Sequence, residues 1–336
     1  MLVAITCNIM PEGYLRESGD DTFAEFDSPS TVEAIRNALM DLCDEVRVIE
    51  ADESAYEKLR GGGFDFVFNI AEGQRGEARE SQIPAILEML GIPYTGSGVG
   101  TLAVTLDKRR CKEVLLANGI RTPEFQLIRS LKDLKTSLKY PLFVKPNNEG
   151  SSRGITAKSL VQNQSELFET VSEILERFRQ PAIVEEYLSG REFTVSLIGN
   201  SEPLVLPIVE VDFSNLPEKA LKFDCYEVKW IYDSKLAGYD TTHCPARIDD
   251  DLLQKIEETA KRTFEALEIR DLCRMDIRLD DEGEPSVLDV NALPGLIPDP
   301  AENSRFPKAA YTAGYTYNEL ICAIFCAALK RTGISL

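Results

Sequence analysis

The first hundred residues alternate between short apolar runs and stretches of helical spacing. Residues 2–7 are apolar, 31–42 set apolar side chains three and four apart, 45–50 read as a strand, and 64–70 return to an apolar run. Strand, helix and strand in that order predict a parallel α/β layer, because parallel neighbours must be joined by a crossover. Pro93-Tyr94-Thr95-Gly96-Ser97-Gly98 is a turn-rich break, after which 101–118 resume helical periodicity. Pro123 and Pro141 bracket a further short βα unit. Residues 191–211 alternate and carry β-branched side chains, which predicts an antiparallel sheet, and helical spacing at 250–267 and 317–329 supplies its cover. The chain therefore reads as α/β with an α+β C-terminal half, in three parts: 1–100, 101–190 and 191–336.

Composition narrows this picture by exclusion. At 336 residues, 43% hydrophobic and 28% charged, the chain reads as a folded protein of two or three domains at the usual ~150 residues each. Lys and Arg total 37 against 56 Asp and Glu, a net charge of −19, which disfavours a counterion-release grip on nucleic acid. The longest apolar stretches, such as 320–329, fall well short of the ~20 residues of a membrane span. No basic segment followed by a long apolar one opens the sequence, so export is not expected. The eight cysteines are scattered, form no C-x-x-C and sit mostly in apolar runs, as buried thiols of a reducing cytoplasm would. The single histidine, His243, lies in a polar stretch with nothing beside it to build a zinc site or a Ser-His-Asp triad, and reads as a surface or turn residue. Neither G-x-G-x-x-G after the first strand nor G-x-x-x-x-G-K-[ST] anywhere is present, so ordinary dinucleotide and P-loop readings lose their fingerprint.

Candidate chemistry gathers in three stretches. Phe143-Val144-Lys145-Pro146 ends a β-rich run on a lysine, and Asn147-Asn148-Glu149-Gly150-Ser151-Ser152-Arg153-Gly154 follows it. Such a loop can lay backbone N–H groups against phosphate oxygens while the lysine neutralises charge; alone it is equally a tight hairpin. Next, Ala182-Ile183-Val184-Glu185-Glu186-Tyr187-Leu188 runs into Ser189-Gly190-Arg191-Glu192, either a hinge strand that can pair with an adenine edge or simply an acidic edge strand. Last, Arg274-Met275-Asp276-Ile277-Arg278-Leu279 precedes Val287-Leu288-Asp289-Val290-Asn291-Ala292-Leu293-Pro294-Gly295. Alternate strand residues share a face, so Asp289 and Asn291 point the same way and Asp276 can join them from a neighbouring strand. Two carboxylates and an amide oxygen are hard ligands suited to Mg²⁺ carried in with ATP.

The order and spacing of these stretches resemble the ATP-grasp superfamily. More narrowly, Gly91-Ile92-Pro93-Tyr94-Thr95-Gly96-Ser97-Gly98 followed by Leu106-Asp107-Lys108 resembles the D-alanine–D-alanine ligase family, and the resemblance covers about residues 64–330. It implies an N-terminal parallel α/β domain, a central ATP-grasp subdomain, and a C-terminal antiparallel-sheet subdomain carrying metal and substrate sites. It further implies that Lys108 and Lys145 contact ATP phosphates under a closing Gly150-Ser151-Ser152 loop. Glu185 and the backbone of Glu186 and Leu188 would hold adenine, Glu192 the ribose, and Lys229 would be the lysine of a mobile loop. Asp276, Asp289 and Asn291 match the magnesium ligands, with Mn²⁺ as an alternative, and Arg274 and the Gly295 amide would stabilise an oxyanion. The implied activity joins a carboxylate, activated as an acyl phosphate, to an amine. Its partners would be small amino acids or peptides, with a homodimer allowed and neither nucleic acid nor membrane involved.

The amino-acid pocket departs from the family pattern. The family's His-Gly is Glu72-Gly73 here, its Lys-Tyr is Lys229-Trp230, and Asp289 stands where glutamate is usual. The tyrosine belongs to a Glu, Ser and Tyr set, of which Ser151 is retained and Glu25 is the candidate glutamate. The His-Ser-Leu acceptor segment is replaced by a longer one, 297–307, in which Ser304 aligns with the serine and Arg305 falls on the leucine. Arg153 and Arg305 are read as pairing with surface carboxylates, the sharper alternative being that one of them binds an extra substrate carboxylate. Beside an altered ligase, ordinary D-alanine–D-alanine ligation for peptidoglycan remains open, as does a catalytically silent ATP-binding regulatory protein.

Overall fold

Strand β1 (Leu2–Cys7), apolar and covered on both faces, forms the centre of a parallel sheet. Helix α1 (Pro29–Met40) crosses to β2 (Glu45–Glu50) on one side of it, and α2 (Ala55–Gly62) crosses to β3 (Phe66–Asn69) on the other. Helix α3 (Gln82–Leu90) ends on Gly91 at φ 70°, a left-handed position that glycine adopts without strain. The structure is a computed structural model, and it describes residues 1–14, 21–214, 223, 241–302 and 304–336.

The helical stretch expected over 101–118 is two helices, α4 (Val99–Leu106) and α5 (Lys108–Ala117). Asp107 separates them: it takes extended backbone, and its carboxylate accepts the Arg110 N–H at 3.0 Å as the cap of α5. Between Pro123 and Pro141 there is no α-helix, only β4 (Phe125–Ile128) and one short helical turn. Leu134 and Leu138 anchor this polar stretch to the central core. Strands β5 (Leu142–Pro146), β6 (Leu160–Val161) and β7 (Ala182–Glu186) complete an antiparallel sheet in the order β4-β7-β5-β6. Helix α6 (Gln164–Arg177) covers it with Leu167, Thr170, Val171 and Ile174, a spacing that places them on one helix face.

The C-terminal half holds the antiparallel sheet expected from its alternation. Strands β8 (Glu192–Gly199), β9 (Leu204–Val205), β10 (Val209–Val211), β11 (Thr242–His243), β12 (Asp271–Leu279) and β13 (Pro285–Asn291) run in the order β11-β10-β8-β12-β13, with β9 on β8. Helix α7 (Asp250–Ala266) packs on one face, and α8 (Arg305–Thr312) and α9 (Tyr317–Thr332) follow β13. Helix α9 returns to the first sheet, where Phe325 meets Phe66 edge to face at 5.3 Å. His243 is not an idle turn residue, since its Nε2 lies 3.0 Å from Asp212. Cys7, Cys43, Cys111 and Cys273 are buried as expected, whereas Cys244 and Cys322 are half-buried and Cys326 is exposed. Among the described residues no helix is long and apolar enough to cross a membrane.

One carboxylate ties the first lobe to the C-terminal half. Asp271, fully buried at the start of β12, accepts the Gly96 N–H at 2.8 Å and Asn200 Nδ2 at 3.1 Å, and pairs with Arg331 at 2.7 Å. Removing one member of a buried ion pair leaves the other without its counter-charge. Asp271→Ala should therefore cost ~3 kcal/mol in urea unfolding, the low end for such pairs because Arg331 keeps some solvent. An unchanged midpoint would show that the tie is dispensable.

Candidate active site

The reactive face is built on the β12–β13 hairpin. Its register sets Arg274 across from Asn291 and Asp276 across from Asp289, so the four side chains share a face. The register then shifts to Ile277 opposite Val287, leaving Leu288 as the inserted residue of a bulge. Leu288 consequently lines the cleft beside Asp289 instead of pointing away from it. Thr194 on β8 donates to Asp276 Oδ1 at 2.7 Å, and Arg274 Nη2 lies 3.4 Å from Oδ2. Asn291 accepts the Leu293 N–H at 3.0 Å, which orients its amide.

Lysines come from the opposite wall. The Asp107 cap makes Lys108 the first residue of α5, and its buried Nζ donates to the Glu149 carbonyl at 2.7 Å and lies 3.2 Å from Asp289. Lys145 on β5 stands 3.2 Å from Glu185 Oε2. Lys112, one turn beyond Lys108, is 3.2 Å from Glu185 Oε1 and donates to Thr122 Oγ1 at 2.7 Å. The Glu185 carboxylate thus faces two lysines. Burial alone would pull the Lys145 ammonium down, but Glu185 and Asp289 more than offset it and its pKa rises. For Lys112 burial wins over Glu185 and the pKa falls. Burial also opposes the charge on Asp289, yet Lys108 and Lys145 hold its pKa below the ordinary value.

Beyond the lysines the cleft becomes apolar. Phe143 packs edge to face on Phe223 at 5.1 Å and stacks near Tyr187, and Leu188, Ile155 and Leu288 complete a slot that suits a flat base. The Glu186 N–H is already given to the Glu124 carbonyl at 2.9 Å. Glu192 lines the same cleft with Arg278 at 3.3 Å, whose guanidinium also covers the Tyr187 ring.

The loop after β5 is held open-handed over this cleft. Ser151 and Ser152 take positive φ, 49° and 60°, a conformation that L residues adopt sparingly. The Gly150 N–H donates to Glu25 Oε1 at 2.8 Å, and a Cβ on Gly150 would stand 2.6 Å from that oxygen. Glu25, placed from the resemblance alone, therefore does reach the loop. Arg79 Nη2 donates to both Glu25 carboxylate oxygens, at 2.7 and 2.8 Å, and its Nη1 donates to the Asn148 carbonyl at 2.8 Å. Arg153 pairs with Glu149 at 2.5 Å, within this cluster and not on the outer surface.

A second pocket opens from the first. The two share Glu25, Glu72, Ser151, Arg274 and Asn291, and the second continues over Gly295, Ser304 and Arg305. Ser304 donates to the Gly295 carbonyl at 3.3 Å. Arg305 corrects the expectation of a surface ion pair: it is only 5% exposed, starts α8, and lies 3.5 Å from Thr194. Lys229 and Trp230 lie outside the described residues.

Sequence reasoning missed Lys112, Arg79 and Glu80. Lys112 was legible, because four residues after Lys108 is the same helix face. Arg79 and Glu80 sit in a charged stretch that reads as solvated loop, and only the meeting of three distant segments buries them. Among the described residues no group of three or more His, Cys, Asp or Glu is arranged for a metal ion. The available set is Asp276, Asp289 and the Asn291 amide, hard oxygen donors that fit Mg²⁺ or Mn²⁺ when phosphates or water complete the shell.

Three-part architecture and a lysine-walled, carboxylate-floored cleft define an ATP-grasp ligase that forms carbon–nitrogen bonds. The family model described as the D-ala D-ala ligase C-terminus matches residues 116–325. A D-alanine–D-alanine ligase of Carboxydothermus hydrogenoformans is 33% identical over 89% of this chain and 93% of its own. An uncharacterized protein of Sinorhizobium fredii, y4sG, is 38% identical over 79% of this chain and 75% of its own. The crystal structure of a D-alanine–D-alanine ligase from Bacillus anthracis matches with a TM-score of 0.74 at 24% identity, covering 99% of both chains. The chain belongs to the D-alanine–D-alanine ligase family, and is a D-alanine–D-alanine ligase-like, ATP-dependent ligase.

Glu80 offers a test of the cleft's electrostatics. Burial, opposed by Arg79 and reinforced by Glu25, pushes its carboxyl up to about 8. Between its ordinary value of 4.5 and about 8 the folded chain keeps a proton that the unfolded chain has lost, so this group's contribution to stability falls as pH rises. Glu80→Gln should raise the Tm of the ligand-free protein by several degrees at pH 8.5, and by close to nothing at pH 4, where the carboxyl is protonated in both states. A shift equal at both values would contradict the assignment.

Proposed function

We propose that the chain activates the carboxylate of an amino acid with ATP and joins it to an amine, releasing ADP and phosphate. The observation that carries this reading is the continuity of the two pockets across Arg274, Ser151 and Asn291. A phosphate-sized anion against the lysines and a carboxylate in the second pocket would meet at that boundary. An oxygen of the substrate carboxylate attacks the γ-phosphorus, the bond to ADP breaks, and an acyl phosphate forms. An amine then adds to its carbonyl and phosphate leaves with the former carboxylate oxygen.

In this scheme Lys108 and Lys145 spread the phosphate charge, and Glu185 and Asp289 keep them in place. Magnesium would be held by Asp276, Asp289 and Asn291, where it would neutralise phosphate charge. Arg274 and Gly295 line the second pocket's end of the boundary, and the guanidinium and the Gly295 N–H would stabilise the tetrahedral oxyanion there. The 150–152 loop, tethered through Glu25, covers the boundary and limits the water that would hydrolyse an acyl phosphate.

The relatives' names favour two D-alanines as the substrates, whereas Glu72 and the buried Arg305 favour a different amino acid. An ADP-release screen over pairs of D- and L-amino acids, with products identified by mass, separates these readings. Turnover with D-alanine alone would establish the ordinary activity, and none with any pair would favour a silent nucleotide-binding protein. With the productive pair, Arg274→Ala should lower kcat by roughly 10²–10³-fold while the thermal shift on adding ATP persists. Unchanged kcat would remove Arg274 from the oxyanion site.

A further inference from the structure

We infer that Glu72 is the counter-ion for the ammonium of the carboxylate-donating amino acid, and so selects donors that carry a free amine. This deepens the proposed function and rests on it. The donor must straddle the two pockets, because its carboxylate has to meet the phosphate in one while its body occupies the other. The acidic side chains that line both pockets are Glu25 and Glu72. Glu25 is already committed: Arg79 holds both of its oxygens, and the Gly150 N–H takes one of them as well. An ammonium at Glu25 would have to compete with a guanidinium whose Nη2 reaches both carboxylate oxygens and whose Nη1 secures the loop at Asn148.

Glu72 is in the opposite position. It follows β3 at the inner edge of the first sheet, half-buried, and makes no hydrogen bond or ion pair with the described residues. Its surroundings are predominantly acidic, with Glu80, Glu25 and Asp27 on one side of the balance and Arg79 on the other. Burial and these neighbours raise its pKa well above the ordinary value, so the empty cleft holds a carboxyl that lacks a cation. A substrate ammonium would supply that charge and three donors. Arg274, which lines the same boundary, would meet the other end of the zwitterion. A glutamate in place of the family's usual His-Gly histidine puts a carboxyl, which a substrate ammonium would hold ionised, where a largely neutral ring would stand.

The test compares each productive donor with its 2-hydroxy and unsubstituted acid analogues, using the same amine and ATP. Wild-type protein should prefer the amino compound, and Glu72→Gln should raise the donor KM roughly tenfold to a hundredfold, leave the ATP KM unchanged, and collapse that preference. Glu72→Asp, which keeps the charge, should retain part of it, and a preserved thermal shift with ATP shows that each variant is folded. Preference for the amine undiminished in Glu72→Gln would overturn the inference while leaving the ligase reading intact. Absence of ATP turnover by the wild type with every donor would overturn both.

Discussion

Lys108, Lys112 and Lys145 lie together out of solvent, and they can do so because Glu185 and Asp289 stand between them. Like charges that converge in a low-dielectric space repel strongly, and desolvation penalises each of them separately. A chain with net charge −19 that is to bind a polyanion must concentrate cations at one place and neutralise them until the ligand arrives. Glu185, on the central strand pair of its sheet, and Asp289, on the last strand of the C-terminal sheet, come from different halves of the cleft. The two halves are therefore linked through the same charges that would hold the phosphates.

Backbone geometry makes this arrangement available. The Asp107 cap ends one helix and starts another, so Lys108 lines the cleft from the first turn of α5 and Lys112, one turn on, reaches Glu185 from behind it. Opposite them, the bulge at Leu288 lets an acidic residue and an apolar one face the same space, one towards the lysines and the other towards the aromatic slot. A regular hairpin would turn one of the two away. The loop that covers the boundary carries two serines in left-handed backbone, and it is held from the first lobe through Glu25 and Arg79. Such strain persists where surrounding contacts over-determine the conformation.

Much of this was legible in the sequence. The strand–helix alternation of the first lobe, the antiparallel C-terminal sheet and the shared face of Asp289 and Asn291 all follow from local periodicity. Pairing of Asp276 with Asp289 and of Arg274 with Asn291 was less legible, because register is a property of two strands and a bulge shifts it without marking either one. The split at Asp107 escaped because both flanking segments keep helical spacing, and the cap is a single residue. Arg79 and Glu80 were invisible for a different reason: burial there depends on segments near residues 25, 79 and 149 coming together, which no window of sequence records.

Charge balance separates the two acidic residues that line both pockets. Glu25 forms part of the fold's own charge balance, since removing it would leave Arg79 with Glu149, at 3.6 Å, as its ion-pair partner among the described residues and would free the Gly150 amide. Glu72 has no such role, for no described cation or hydrogen-bond donor is bonded to it. A half-buried carboxyl with a raised pKa and no such partner costs stability when it ionises. Packing does not require it, and a neutral residue of similar size would relieve the cost. Ionisation of this carboxyl becomes favourable only when something cationic enters the cleft, which makes the negative charge of this pocket a property of the complex and not of the fold.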